Sequence, residues 1–182
     1  MRGHRGRLLV ATPLIGDPSF ERTVVLLLDH GDEGAFGMVL NRPSEVPVDE
    51  VAPEWAGHVS APGVLFIGGP VRSEQVLGLA RAHDRHAEHF ESIVGDLGTV
   101  DLHQEPDDGP SNWEGLRLFA GSAGWAPGQL EDELAEGAWW AVDAVPDDVL
   151  TSRPDDLWAR VLRRQPGEVA WFANCPRDPS AN

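Results

Sequence analysis

The chain has 182 residues, of which 41% are hydrophobic and 24% are charged, which is typical of one globular domain and excludes a disordered or collagen-like chain. The formal net charge is −16, and all fourteen basic residues are arginine. Since lysine and tyrosine are absent from the sequence, Schiff-base catalysis, a phosphate-loop lysine and a tyrosine general acid are excluded.

Seven apolar runs of strand length, most of them bounded by turn residues, predict a sheet. Arg7–Thr12 is interpreted as the first strand, and Gly31 to Gly34 as a hairpin loop between the next two. Val24–Leu28 is apolar throughout, so we expect both of its faces to be covered. In chain order the runs are Leu8–Ala11, Val24–Leu28, Phe36–Leu40, Val64–Ile67, Val76–Ala80, Leu116–Ala120 and Trp139–Val145.

Two amphipathic helices are predicted in the second half of the chain. Pro127–Glu136 begins with proline, carries acidic residues early and is followed by Gly137, as expected at the two ends of a helix. Pro154–Arg164 has aspartates early, arginines late and one apolar stripe. A helix near Val48–Trp55 is predicted more weakly, because Pro53 interrupts it.

Two polar and irregular segments, His83 to Asp101 and Gln104 to Asn112, are predicted to be surface loops. Strands and helices are mixed without steady alternation, which favours an α+β class over a doubly wound parallel sheet. We expect a single domain over residues 1–175, followed by a C-terminal tail at 176–182.

The expected compartment is the cytoplasm. No run approaches the roughly 20 apolar residues needed to cross a bilayer, so no membrane association is expected. Leu8–Ile15 is interrupted by Thr12 and Pro13 and lacks a small-residue cleavage site, which argues against a signal peptide. The single cysteine, Cys175, cannot form an internal disulfide, and this favours a reducing compartment.

Four segments of the sequence, the first of them in two parts, occur in a specific order. Residues 6–13 (GRLLVATP) lead into 17–25 (DPSFERTVV), and they are followed by 37–43 (GMVLNRP), 68–71 (GGPV) and 121–131 (GSAGWAPGQLE). This ordered set resembles the AlgH/YqgE family of small bacterial proteins, from residue 6 to about residue 164. One position departs from the family pattern, because an aromatic residue usually stands where this chain has Ser122.

The resemblance implies an α+β fold in which a mixed sheet forms a small closed β-barrel surrounded by a few helices. Members of the family are labelled as transcriptional regulators, and no agreed catalytic mechanism comes with that label. The resemblance therefore implies a fold and a regulatory role, but no particular reaction.

Several of these segments end strands with residues suited to anions. Arg42, held extended by Pro43, can present a planar guanidinium to a carboxylate or phosphate, and Gly68 and Gly69 permit a nest of backbone N–H groups. If the fold brings them together, they form a pocket for an anionic group. The predicted ligand-binding residues are Asp17, Arg22, Asn41, Arg42, Gly68, Gly69, Pro70, Trp125 and Gln129. The alternative is that the glycines form tight turns and Arg42 pairs with an acid such as Asp17 or Glu21.

Other chemistry has weaker support in the sequence. His83, His86 and His89 recur every third residue, but this spacing matches no zinc motif, so a solvated loop is favoured and no metal or cofactor is expected. The candidate nucleophiles are Ser19, Ser73, Ser122 and Cys175, and the Gly-x-Ser-x-Gly motif is absent. A hydrolase would need a carboxylate acid/base, for which Asp17 or Glu133 is the candidate.

The leading hypothesis is a regulatory or binding module that holds a small anionic ligand or a protein partner. The alternative is an enzyme of hydrolase type. A third hypothesis, direct DNA binding, is disfavoured by the charge, since Asp101 to Asp156 alone carries −12, and by the lack of a helix-turn-helix pattern. The sequence leaves the oligomeric state open.

Overall fold

The structure is a computed structural model that describes residues 3–106 and 112–175. Within these ranges the chain forms ten strands, four short α-helices and three 3₁₀ helices. The strands are β1 (Arg7–Ala11), β2 (Val24–Gly31), β3 (Gly34–Val39), β4 (Pro43–Pro47), β5 (Val64–Ile67), β6 (Val71–Ala82), β7 (Phe90–Val94), β8 (Leu97–Val100), β9 (Trp113–Trp125) and β10 (Trp139–Asp143). The α-helices are α1 (Val48–Val51), α2 (Gln129–Ala135), α3 (Pro146–Val149) and α4 (Leu157–Arg163), and the 3₁₀ helices are Pro53–His58, Pro154–Asp156 and Gly167–Asn174.

All ten described strands belong to one sheet. Eight of them follow the order β10-β1-β2-β3-β9-β6-β8-β7, while β5 pairs with β9 and β4 pairs with β5. Among the described ladders, only the one between β5 and β9 is parallel. The long strands β6 and β9 pair along most of their length and connect the two halves of the sheet.

The closed β-barrel that the family resemblance implied is wrong. The expected α+β class, with a barrel surrounded by helices, is therefore wrong as well. The fold is mostly a large antiparallel sheet with few helices, and in the described residues no ladder joins its two ends, β7 and β10. Closure depends on the tilt and stagger of all the strands together. A residue pattern along one strand does not encode that geometry, so the sequence could not exclude an open sheet.

The side chain of Arg5 lies between β2 and β7. Its Nε donates to the carbonyl of Leu28 at 3.1 Å, and its Nη2 donates to the carboxylate of Glu91 at 3.2 Å and the carbonyl of Ser92 at 3.3 Å. The gap between these strands is therefore bridged by a side chain rather than by a backbone ladder.

The loop predicted over His83 to Asp101 is also wrong, because β7 and β8 lie within it. Gly95, with φ of 59°, allows the tight turn between the two strands. β7 is an edge strand and only partly buried, so polar residues such as Glu91 and Ser92 interrupt its apolar pattern. The second predicted loop extends over residues 107–111, which lie outside the described residues, as does the predicted tail at 176–182.

The other predicted elements are confirmed. Each of the seven apolar runs falls on a strand, although Leu40, Ala144 and Val145 lie beyond the strand ends, and Gly31 to Gly34 joins β2 to β3. The predicted helices correspond to α2, to α4 with its preceding 3₁₀ turn, and to α1 with the 3₁₀ helix that Pro53 begins. Across the described residues, no helix is long and apolar enough to span a bilayer.

Alternation along β1 and β2 divides the core between the two faces of the sheet. Leu8 and Leu26 point into a cluster that includes the inner side of α4, whereas Leu9 and Leu27 pack with Leu130 of α2 on the opposite face. Val24 to Leu27 are fully buried, which confirms that β2 is covered on both faces.

Candidate functional site

Residues 12–23 link β1 to β2 in a loop held by its own hydrogen bonds. The carboxylate of Asp17 accepts the backbone N–H of Ser19 at 2.9 Å. The backbone carbonyl of Asp17 accepts the N–H groups of Phe20 and Glu21. Arg22 closes the loop with φ of 56°, a left-handed conformation that costs energy for a residue other than glycine. This conformation turns the chain sharply into β2.

Asn41 joins this loop to the segment that follows β3. Its Oδ1 accepts the N–H of Val24 at 3.0 Å, and its Nδ2 donates to the carbonyl of Arg22 at 2.9 Å. Since both polar atoms of the side chain are engaged with the backbone, Asn41 positions Arg22 and the start of β2. Its role in this geometry is to hold the neighbouring arginine in place.

Arg42 lies against the outer side of the same loop. Its Nη2 donates to the backbone carbonyls of Glu21 at 2.6 Å and Pro18 at 3.3 Å. The alternative considered from the sequence was an ion pair with the carboxylate of Asp17 or Glu21. The structure shows Arg42 bonded to main-chain carbonyls instead, which fixes the guanidinium without neutralising its charge.

A cleft of about 590 Å³ opens beside these residues, between the loop and α4. The guanidinium carbon of Arg22 lies 4.4 Å from the ring centroid of Trp158, in a cation–π contact, and its Nη2 donates to the carbonyl of Cys175. The indole of Trp158 is fixed in turn by its N–H, which donates to the carbonyl of Ala11 at 2.8 Å. Arg22, Asn41, Arg42 and Trp158 thus line one cleft.

The two arginines of the cleft are not neutralised by nearby acids. Within residues 3–106 and 112–175, neither Arg22 nor Arg42 has a carboxylate oxygen within 4.0 Å. By contrast, Arg164 makes two hydrogen bonds to Asp148, at 2.6 and 3.0 Å. Glu21 and Asp155 also line the cleft, but their carboxylates do not pair with its arginines.

Gly68 and Gly69 lie beside this site and allow two backbone segments to approach closely. A Cβ atom at Gly69, whose φ is 150°, would lie 2.1 Å from the carbonyl oxygen of Ser122. The N–H of Gly68 donates to the backbone carbonyl of Ala120 at 2.8 Å, so this N–H group already has a partner. These glycines therefore hold the end of β5 against β9, and the exposed Pro70 follows them.

The same strand end is connected to the cleft through the backbone. The N–H of Ile67 donates to the carbonyl of Arg42 at 2.8 Å. Gly68 thus follows directly after the residue that bonds to Arg42, although neither Gly68 nor Gly69 lines the cleft.

Trp125 and Gln129 belong to a separate cluster around Glu133. One carboxylate oxygen of Glu133 accepts the indole N–H groups of Trp125 and Trp139, each at 2.8 Å, and the other accepts the amide of Gln129 at 3.0 Å. Phe20 packs on both indoles, with ring centroids 6.3 and 5.8 Å away. Because Phe20 belongs to the loop that carries Arg22, the loop connects this cluster to the cleft.

The structure therefore brings together only some of the residues expected at the site. Arg22, Asn41 and Arg42 share the cleft, Asp17 stabilises its loop, and Gly68 to Pro70, Trp125 and Gln129 lie outside its lining. Trp158 and Asp155 belong to the predicted helix Pro154–Arg164 but were not among the expected site residues. Trp158 is buried in the core and also lines the cleft. The signal available for Trp158 was a tryptophan on an amphipathic helix, which is equally typical of core packing.

The groups considered for other chemistry are engaged elsewhere. The hydroxyl of Ser73 donates to Glu74 and that of Ser122 to the carbonyl of Val71, at 3.4 and 3.5 Å. His83 lies 3.4 Å from Glu114, and the part of the chain that the structure describes contains no group of three His, Cys, Asp or Glu residues suited to a metal ion. Glu133, the candidate acid/base, holds three N–H donors.

A family model described as AlgH-like (DUF179) matches residues 8–170 of this chain. The UPF0301 protein of Streptomyces coelicolor is 50% identical over 182 residues, covering 97% of this chain and 94% of the relative. The UPF0301 protein of Thermobifida fusca is 46% identical over 187 residues, with the same coverage of 97% and 94%.

Two solved structures resemble the fold. A crystal structure of a protein from Corynebacterium diphtheriae has a TM-score of 0.89 at 34% identity and covers 95% of this chain and 92% of its own. The solution structure of AlgH from Pseudomonas aeruginosa has a TM-score of 0.69 at 24% identity, covers 97% and 96%, and is similar in fold. From the family match over residues 8–170 and the identity of 50%, the chain belongs to the AlgH-like family.

Proposed function

We propose that this chain is a binding module that holds a small anionic ligand in the cleft of Arg22 and Arg42, and that it acts in regulation without contacting DNA directly. One observation carries the proposal. Two arginines that have no carboxylate partner among residues 3–106 and 112–175 line the same cleft, in a chain whose net charge is −16. The regulatory part of the proposal rests on what the resemblance to the family implies.

The guanidinium groups suit an anion because they are fixed but only partly used. Arg42 engages the loop through Nη2 alone, and Nε and Nη1 make no hydrogen bond to the described residues. Arginine presents its N–H groups as a planar fork that matches the two oxygens of a carboxylate or phosphate. Because the backbone carbonyls and Trp158 already hold both side chains, a ligand would not have to order them.

The surroundings of the cleft favour a small anion over a polyanion. Glu21 and Asp155 line the same cleft and would repel negative charge that extends beyond the two arginines. The overall field of the chain also repels duplex DNA, whose phosphates require a surface rich in cations. A compact group such as phosphate or a single carboxylate fits both constraints.

A thermal-shift titration with inorganic phosphate tests the proposal. A ligand at 100 times its Kd adds about 2.7 kcal/mol to the free energy of unfolding. We expect phosphate to raise the Tm of the wild-type protein and to have little effect on Arg42→Ala. Arg163→Ala is the matched control, since Arg163 is an exposed arginine of α4 that does not line the cleft.

Arg42→Lys separates charge from geometry. Lysine retains the positive charge but cannot present a fork, so an intermediate response to phosphate is expected. The proposal fails if Arg42→Ala responds to phosphate as the wild-type protein does, or if Arg163→Ala loses the response to the same extent. A gel-shift titration with duplex DNA at 150 mM salt tests the second part, and a complex that dissociates on changing Arg42 would contradict it.

A further inference from the structure

A second cavity lies between residues of β2, β3 and β6 and the hairpin of β7 and β8, away from the arginine cleft. Three strands each contribute one side chain to its floor, two positions along the strand from a buried core residue. Because alternate residues of a strand share a face, the floor of the cavity continues the face that carries these core residues. The pairs are Leu28 beside Leu26, Phe36 beside Met38 and Leu77 beside Leu79.

The opposite wall comes from the edge hairpin of β7 and β8. Ile93 and Thr99 face the cavity from these strands, and Arg5 bridges its two walls. The volume of this open cavity is about 690 Å³, within the range of about 300–1,000 Å³ typical of small-molecule sites.

Negative charge surrounds this apolar floor. Among the described residues, the ionisable groups that line the cavity are Asp29, Glu91, Asp101, His89 and Arg5. Arg5 pairs with Glu91 at 3.2 Å. Asp29 and Asp101 have no cationic partner within 4.0 Å among the described residues. Each accepts a nearby backbone N–H through one oxygen, at 2.9 and 3.0 Å, which fixes the two carboxylates at the rim.

We infer that this cavity binds a small amphipathic cation, namely an ammonium group on a short aromatic or branched aliphatic body. The body would pack on Leu28, Leu77 and the ring of Phe36, and the ammonium would lie between the carboxylates of Asp29 and Asp101. Burial of the aromatic or aliphatic part of the ligand contributes affinity through the hydrophobic effect, which has no directional preference. The carboxylates select for positive charge. This inference does not depend on the arginine cleft, because the two sites select opposite charges.

Three probes with the same phenyl body but different charge test the inference: 2-phenylethylammonium, 3-phenylpropanoate and 2-phenylethanol. Each is titrated into ¹⁵N-labelled full-length protein, and backbone amide shifts are followed by NMR. We expect saturable shifts at Leu77 and Thr99 with the ammonium probe, at least fivefold weaker binding of the alcohol, and no shifts there with the carboxylate. Added salt is expected to lower the affinity of the ammonium probe, because salt screens exposed charges at the rim of the cavity.

Variants then test the two aspartates. Asp29→Asn with Asp101→Asn removes both charges but keeps the oxygens that accept the backbone N–H groups, so the fold should be retained. The matched control is Asp49→Asn with Asp132→Asn, which changes the net charge equally at exposed positions outside the cavity. We expect the first pair of substitutions to weaken binding of the ammonium probe about five- to tenfold, since exposed ion pairs are individually weak, and the control pair to weaken it less than about twofold.

Three results would overturn the inference. The first is binding of the three probes with equal affinity, which would show no selection for charge. The second is an equal loss of affinity in both variant pairs, which would indicate a general effect of net charge. The third is a set of shifted amides that excludes β6 and β8, which would place the probe elsewhere. Since phosphate binding at the arginine cleft is measured separately, failure of one site leaves the other unaffected.

Discussion

Arg42 donates a hydrogen bond of 2.6 Å to the backbone carbonyl of Glu21, while the carboxylate of Glu21 remains unpaired with it. A carbonyl oxygen orients the guanidinium but carries no net charge. The cleft therefore contains acids and arginines that do not neutralise each other, and this arrangement predicts how its affinity responds to substitution.

Removing the acids of the cleft should strengthen anion binding. Glu21→Gln and Asp155→Asn each remove a negative charge from the lining and leave the carbonyl contact of Arg42 intact. We expect each change to lower the Kd for inorganic phosphate about two- to fivefold at low salt, because exposed charges interact by up to about 1 kcal/mol. Isothermal titration calorimetry checks this, with Glu54→Gln, outside the cleft, as control. Weaker binding in both variants would contradict the proposed orientation of the arginines.

Glu133 should be important for stability. Its carboxylate accepts the indole N–H groups of Trp125 and Trp139, which are 6% and 4% exposed. Glu133→Ala leaves both donors without their partner, and we expect the free energy of unfolding to fall by about 2–4 kcal/mol. Urea denaturation followed by tryptophan fluorescence measures the loss.

Glu136→Ala is the matched control for that change. Glu136 is exposed near the end of the same helix, so its replacement should alter stability by no more than about 0.5 kcal/mol. Equal stability of the two variants would show that the cluster around Glu133 contributes little.

Gly69 should not tolerate a side chain. Its φ is 150°, and a Cβ atom at this position would lie 2.1 Å from the carbonyl oxygen of Ser122, so the backbone would have to move. We expect Gly69→Ala to destabilise the protein by about 3 kcal/mol or more, through overpacking and backbone strain. Gly124→Ala is the control, since a Cβ there has no heavy atom within 4 Å. The proposed close approach is refuted if both variants unfold at the same urea concentration.

Acid should weaken the contacts between the N-terminal segment and α2. The Nδ1 of His30 accepts the backbone N–H of His4 at 3.0 Å, and its Nε2 lies 2.7 Å from the carboxylate of Glu131. Burial, together with the charge of Arg7, lowers the pKa of His4 below its usual value of 6.5. A hydrogen bond from its own backbone N–H and a second from His30 lower the pKa of Glu131 below its usual 4.5.

Both shifts have the same sign of effect on stability. Below about pH 6.5 the unfolded chain binds a proton at His4 that the folded chain binds only at lower pH, so stability falls with decreasing pH. Glu131 contributes stability above its unfolded pKa, which is lost as the pH falls through its folded pKa.

We expect His4→Gln to flatten the decline in stability just below pH 6.5, and Glu131→Gln to reduce the loss below pH 4.5. His86→Gln, which replaces an exposed histidine, is the control and should leave the profile unchanged. Urea midpoints measured from about pH 3 to pH 8 test this, and parallel profiles for His4→Gln and the wild-type protein would contradict it.

The sequence by itself determined the local elements and the family. Apolar runs of strand length, most of them bounded by turn residues, located the strands, and proline and acidic residues marked helix starts. The ordered segments from 6–13 to 121–131 identified the AlgH-like pattern. Each of these signals depends on the conformation of one short segment, which its own residues largely specify. The strands β7 and β8 were not predicted. β7 is only partly buried and contains polar residues, whereas β8 is mostly buried but only four residues long, with Gly98 and Thr99 between its apolar ends.

Only the tertiary structure decided how the segments meet. The open sheet, the contact of Arg22 with Trp158, and the cavity between Phe36 and Thr99 all join residues far apart in the chain. Their positions depend on strand register, on curvature and on the docking of α4, which are properties of many contacts together. A pattern of residue types reports which face of a segment is buried, but it does not report what packs against that face.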